Sequence, residues 1–220
     1  VSYVSHADLG GLSGFGAVIP DARDDPFHAD WERQVLALVL AMGATGSWSL
    51  DASRAARETL PGYRELDYYS IWLAALEKLL VAHGLVSPAE LAAGSSEAPP
   101  KALPRTLRAA DVARVLAEGT PRERIASEAA RFAVGDRVRT RHESLGHHTR
   151  LPGYACGKQG VIARVHGVHV FADASARGKG EAPDWLYNVV FEARELWEGT
   201  EVHSGTSVAI DAWQSYLEPA

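Results

Sequence analysis

Cysteine is nearly missing from this chain: Cys156 is the single one in 220 residues, and methionine also occurs once. One thiol excludes a disulfide framework within the chain and any site that needs two thiolates from it, and it fits a reducing compartment. Long apolar runs are missing too. No stretch approaches the roughly 18 residues that a membrane-crossing helix requires, so no membrane association is expected. The segment Val1-Ser2-Tyr3-Val4-Ser5-His6 has no basic region followed by an apolar core, and the expected location is the cytoplasm. Runs of Lys or Arg are likewise absent. With 22 basic against 28 acidic side chains the net charge is −6, which leaves nucleic acid a poor partner. Clustered metal ligands are the last absence. His147 and His148 with Glu143 nearby come nearest, without a further clustered ligand, so the chain is expected to hold no metal ion of its own.

What is present is 46% hydrophobic residues over a length sufficient for a substantial core, in one domain or two small ones. The first 25 residues are rich in Gly and Asp without periodicity and read as an extended arm that needs something to lie on. Asp30 is placed to cap a helix with a stripe of Trp31, Val35, Leu38 and Met42, ending at Gly43. A short helix follows Ser49 and stops near Pro61. Asp67 is the candidate cap of the longest helix, with Trp72, Leu76, Leu79 and Leu80 on one face and Gly84 after it. Ser87-Pro88-Ala89-Glu90 has capping-box order with Pro at the first helical position. Residues 93–104 lack periodicity and carry several Gly, Ser and Pro, which reads as a linker. The expected domains are therefore 1–104, an arm and helical region with linker, and 105–220.

In the second half, helical pieces are expected over Ala109–Glu118 and after a capping box at Thr120-Pro121-Arg122-Glu123. From Phe132 the pattern turns to short β-rich runs: Val134–Val138, Gly160–Ala163, Val168–Phe171, Tyr187–Phe191 and Ser207–Ile210. Five such runs predict a small barrel, so the fold class is α+β. Gly157-Lys158-Gln159-Gly160 and Gly178-Lys179-Gly180-Glu181 lack the spacing and the strand-to-helix setting of a phosphate loop and read as turns.

Several short motifs stand in a fixed order. They are Asp8-Leu9-Gly10-Gly11 with Gly14-Phe15-Gly16, Pro26-Phe27-His28 with Trp31-Glu32, and Leu50-Asp51-Ala52-Ser53-Arg54. After these come Tyr68-Tyr69 with Trp72, His148-Thr149-Arg150-Leu151-Pro152-Gly153-Tyr154, and Tyr216-Leu217-Glu218-Pro219. In this order and spacing the chain resembles the beta subunit of nitrile hydratase, from about Asp8 to Pro219. Read alone, Arg54 would be a solvated surface group, Trp72 a core residue, and Glu58 the partner of Arg54 in an i,i+4 surface ion pair.

The resemblance implies an N-terminal helical region, a C-terminal SH3-like β-barrel, and a lyase that adds water to a nitrile to give an amide. It further implies an alpha subunit that holds cobalt or iron in a Cys-x-x-Cys-Ser-Cys segment with two oxidised thiolates, in heterodimers that pair into alpha2-beta2 heterotetramers. Arg54 and Arg150 match the two arginines that hydrogen-bond the oxidised sulfurs, a task suited to a planar fork of donors. Tyr68 matches a pocket hydroxyl, and Val39, Leu50 and Trp72 match or adjoin positions lining the substrate cavity. Glu58 and His148 are the supporting residues. The attack itself, by water or by an oxidised thiolate, stays open.

Two positions and one segment depart from the family pattern: Ser53 replaces an aromatic before the first arginine, Ile71 a histidine found in some members, and the segment after Arg150 reads Gly153-Tyr154-Ala155-Cys156-Gly157-Lys158, with two positive charges fewer. Other readings are a thiocyanate hydrolase relative, in which the two halves are usually separate chains, and a non-catalytic chaperone of the alpha subunit, which would resemble mainly the N-terminal half. A general SH3-type peptide binder leaves residues 1–100 unexplained.

Overall fold

The computed structural model describes residues 4–20, 25–142, 146–197 and 205–220. These fall into two compact units, one of residues 4–7 and 13–119, the other of residues 8–12 and 120–220.

The first unit is helical: α1 (Asp30–Ala44), α2 (Leu50–Glu58), α3 (Tyr68–Ala82), α4 (Pro88–Ala93) and, after a 3-10 turn at Ala109–Asp111, α5 (Val112–Glu118). Local signals set the starts of α2 and α4. Ser49 Oγ accepts the Ala52 N–H at 3.1 Å, and Ser87 and Glu90 exchange the reciprocal bonds of a capping box at 3.1 and 2.8 Å. Helices α2 and α3 pack through Ala56, Leu60, Ala75 and Leu79, with Trp48, Ile71 and Ala74 against them. Ile71 thus supports this core.

Helix α1 departs from its expected stripe. Val35 is buried, whereas Trp31 and Leu38 are 40% and 52% exposed, and the helix continues through Gly43 to Ala44. Asp30 is its first residue and not its cap. The capping falls to buried Glu32, whose carboxylate accepts the His28 and Ala29 N–H groups. In residues 13–20 Val18 and Ile19 stand 94% and 88% exposed.

Residues 94–104 are attached to the helices. Glu90 Oε1 accepts the Glu97 and Ala98 N–H groups at 2.9 and 3.1 Å, and Lys101 Nζ donates to the His83 carbonyl at 2.7 Å. The Arg105 guanidinium lies against Gly46, where a Cβ would come within 2.9 Å of it. Contacts of this kind group residues 105–119 with the helices.

The second unit is an antiparallel sheet of β1 (Glu123–Arg124), β2 (Arg137–Thr140), β3 (Gln159–His169), β4 (Asp184–Glu192), β5 (Ser207–Trp213) and β6 (Leu217–Pro219). The order is β5-β4-β3-β2-β6, with β1 on β3, and among the described residues the sheet does not close. Two short helices, α6 (Ala172–Ala176) and α7 (Ala193–Leu196), complete it. Fully buried Val138, Ile162, Tyr187, Val189, Phe191 and Leu217 form its core. The architecture is α+β, with an open sheet where a small barrel is expected.

Two sequence expectations fail here. Thr120–Glu123 opens no helix: Glu123 and Arg124 pair with His169 and Val168, and Arg124 forks onto the Glu181 carboxylate, so long-range pairing overrides a local cap. The runs at Gly160–Ala163 and Val168–Phe171 belong largely to one strand, β3, which passes the intervening polar residues by register shifts between Ile162 and Arg164 and between Val165 and Gly167. At Gly160 strand β4 approaches so closely that a Cβ would lie 2.7 Å from Val189 Cγ1 and 2.9 Å from the Val190 carbonyl oxygen.

The Glu90 carboxylate is held down from 4.5 to about 2, first by the Ser87 N–H and then by those of Ala98 and Glu97. A depressed carboxylate contributes stability above its unfolded pKa and loses it as pH falls through the folded one. The Glu97 and Ala98 amides should therefore keep their protection down to about pH 4.5 and lose it as the pH approaches 2. Hydrogen exchange corrected for its intrinsic pH dependence reads this, and a flat profile across the window would show that the carboxylate is not the holder.

Candidate functional site

Arg54 lies one turn after Asp51 on α2. Asp51 has no exposure, and Arg54 Nη1 donates to its Oδ1 at 3.2 Å while the arginine side chain remains 38% exposed. The guanidinium is thus fixed from behind and still reaches the surface. Arg57 behaves differently: Nε donates to the Ser53 carbonyl at 3.2 Å, and the guanidinium lies 4.5 Å over the Trp72 ring. Burial, and after it the Arg54 charge, lower its pKa.

Val39 and Trp72 come together around this side chain, with Trp48, Ser53, Leu76 and Leu79, in a crevice of about 10 Å³. That is room for about one water. Tyr68, the first residue of α3, is 62% exposed, its ring 5.1 Å from Tyr69 and 5.6 Å from Trp72. Leu50, the first residue of α2, is 46% exposed. Glu58 ends α2, where its carbonyl accepts the His6 N–H at 2.7 Å.

In the sheet unit, Arg150 sits on the loop between β2 and β3, exposed, with its N–H donated to the Tyr216 hydroxyl at 3.1 Å. Tyr216 in turn donates to Asp173 on α6, a carboxylate with no exposure. Burial raises the Asp173 pKa, opposed by the Tyr216 hydrogen bond and by His147, His148 and Arg177. Burial, reinforced by Asp173, pushes the Tyr216 hydroxyl up as well. His147 Nδ1 lies 3.8 Å from Asp173 Oδ2, and His148, next to Arg150, is buried at 2% exposure. A cavity of about 200 Å³ adjoins Tyr216, Asp173 and His147.

Each of the two units therefore offers an arginine on a segment tied to a fully buried carboxylate, by the guanidinium itself for Arg54 and, for Arg150, by the main-chain N–H through a tyrosine. Such a fork of donors suits an anionic oxygen acceptor. Sequence reasoning named both arginines and passed over Asp51, Arg57, Asp173 and Tyr216 as functional groups. The i,i+3 spacing of Asp51 and Arg54 was an available signal. The link between Arg150 and Tyr216 spans 66 positions and exists only in the fold. Glu143 lies outside the described residues, and among those described no group of three or more His, Cys, Asp or Glu could hold a metal ion.

Fold and site together define a two-unit α+β chain that presents an anchored arginine from a helix of one unit and from a loop of the other. Family models place it further: the N-terminal model of the nitrile hydratase beta subunit matches residues 4–116, and the C-terminal model matches residues 121–219. The chain belongs to the nitrile hydratase beta-subunit family. It is 34% identical over 224 residues to the low-molecular weight cobalt-containing nitrile hydratase subunit beta of Rhodococcus rhodochrous, covering 97% of this chain and 98% of that one. With the nitrile hydratase subunit beta of Pseudomonas putida the identity is 35% over 215 residues, again covering 97% and 98%. The thiocyanate hydrolase subunit alpha of Thiobacillus thioparus is 32% identical over 92 residues, 41% of this chain and 73% of that protein.

Tyr216→Phe removes the acceptor for the Arg150 N–H and the donor to Asp173, leaving a buried carboxylate without that bond. The expected loss is about 1–3 kcal/mol of unfolding free energy, measured by urea denaturation of the isolated chain. A stability change within about 0.5 kcal/mol would show that the Tyr216 hydroxyl is not an anchor.

Proposed function

We propose that this chain completes the active site of a nitrile hydratase on a metal-bearing alpha subunit, for the addition of water to a nitrile to give an amide. The observation that carries this reading is the match of both halves in one polypeptide, over 97% of the chain, with Arg54 and Arg150 present. The thiocyanate hydrolase relative spans less than half of it. A chaperone role would leave the sheet unit and Arg150 without use.

The reaction's cobalt or iron is assigned to the alpha subunit; two of the nitrile hydratase relatives are named as cobalt-containing. When bound, the ion supplies Lewis-acid polarisation. The donor set of this chain fits the anionic oxygens of oxidised thiolates around such an ion, because a planar guanidinium gives parallel N–H groups that an ammonium lacks. Arg54 and Arg150 hold those oxygens and limit further oxidation of the sulfurs. Tyr68 offers its exposed hydroxyl to the pocket. Val39, Leu50 and Trp72 supply apolar walls for the organic part of the nitrile. Glu58 and His148 steady the two arginines.

Exposed Trp31 and Leu38, on one face of α1, are read as apolar groups that the alpha subunit covers. The sheet unit is read as an SH3-like barrel, and the assembly as an alpha2-beta2 heterotetramer in the cytoplasm. No helix among the described residues is long and apolar enough to cross a membrane.

Affinity purification of the tagged chain from its native cells tests the proposal, with partner identification, metal analysis and a nitrile-to-amide assay. A stoichiometric partner bearing Cys-x-x-Cys-Ser-Cys, loaded with cobalt or iron and forming amide, is the expected result. A metal-free, inactive complex would overturn it. In the reconstituted enzyme, Arg54→Lys and Arg150→Lys should each leave this chain folded and lower turnover about 10- to 100-fold. Wild-type turnover of both variants at full metal and sulfur-oxidation occupancy would defeat the assigned roles.

A further inference from the structure

Residues 8–12 pack with the sheet unit although the arm on either side of them belongs to the helical one. They meet it at three successive points, all on or beside the segment that follows Arg150. Asp8 Oδ2 accepts the Gly153 N–H at 2.9 Å. Gly10 lies on the Tyr154 ring so closely that a Cβ would be 2.4 Å from Cε1. Gly11, at φ +78°, lies on the Trp197 indole, where a Cβ would be 2.2 Å from Nε1. The two rings underneath are packed together, centroids 5.3 Å apart. Only backbone without side chains fits here, and at Gly11 the positive φ adds a second reason for glycine. The Leu12 N–H closes the segment into a turn on the Leu9 carbonyl at 3.2 Å.

The fit is reciprocal, since a Cβ on Gly153 would lie 2.5 Å from Asp8 Oδ2. Burial and the nearby Asp8 charge both raise the Cys156 thiol pKa. The held segment is itself a rigid turn: Ala155 N–H donates to Pro152 O at 3.0 Å, Cys156 N–H to Gly153 O at 3.1 Å, and Thr140 Oγ1 to Ala155 O. Arg150 stands just before this turn and is tied on its own N–H to Tyr216. Its main chain therefore hangs between two fixed points, and the second is the one that the arm secures.

The geometry points to residues 8–11 as a strap that positions Arg150, with Asp8 and Gly10 as positioning residues for the hydration reaction; this rests on the reading of Arg150 as a working donor. Asp8 acts through its acceptor oxygen, because what it holds is a neutral backbone N–H. Displacing the strap frees the turn and lets the guanidinium wander from its acceptor. A misplacement of about 1 Å is enough to cost on the order of 100-fold in rate.

The test compares wild type, Asp8→Ala, Asp8→Asn, Gly10→Ala and Arg150→Lys in the reconstituted two-subunit enzyme at equal metal content, reading kcat, KM and hydrogen exchange over residues 150–156. Asp8→Ala should lower kcat about 10- to 100-fold with a smaller change in KM and should speed exchange in that segment. Asp8→Asn, which keeps an acceptor oxygen, should restore both. Gly10→Ala should reproduce the kcat loss with the carboxylate in place, and it carries the test if Asp8→Ala fails to assemble. Normal kcat and exchange in Asp8→Ala or Gly10→Ala, beside an impaired Arg150→Lys, would overturn the strap alone. An unimpaired Arg150→Lys would overturn the underlying role of Arg150, and the strap with it.

Discussion

Both arginine segments are tied to a carboxylate shut away from water, by the guanidinium itself at Arg54 and by the main-chain N–H, through Tyr216, at Arg150. Asp51 and Asp173 have no exposure. A buried carboxylate is tolerated only where donors converge on it, and removing one of them leaves a penalty larger than the bond itself was worth. Much of the local structure serves that condition. Ser49 starts α2 so that Asp51 falls in its first turn with Arg54 above it. Helix α6 carries Asp173 to the hydroxyl of Tyr216, next to the start of β6.

The chain is tightly packed behind Arg54 and apolar on parts of its surface. Arg57 fills the crevice between Val39, Trp48 and Trp72, stacked and desolvated, which turns a row of pocket-like residues into a packed wall. Outside, Trp31 and Leu38 on α1 are left to solvent in this chain. The contrast divides the work: interior polar groups fix direction, and exterior apolar groups are left for association.

Local signals were readable where local physics decides. Ser49 and the Ser87–Glu90 box announced their helices because a cap needs only neighbours three residues away. The Thr120–Glu123 box misled because two residues of pairing with β3 and a forked ion pair to Glu181 outweighed it. The single strand β3 looked like two because polar residues interrupt its apolar runs at the register shifts. Arg54 and Arg150 were legible through motif order. Their anchors were less so: Asp51 lay in view within the first motif, whereas Asp173 and Tyr216 become neighbours only after the sheet has formed.

The polypeptide changes units at residues 7 and 12 as well as at 119, so neither unit is a continuous stretch of chain. A single cut after Gly119 would leave residues 8–12, whose two glycines lie on Tyr154 and Trp197, joined to the helical fragment. The helical fragment would then carry a segment that packs within the other piece, as a swapped element does between protomers.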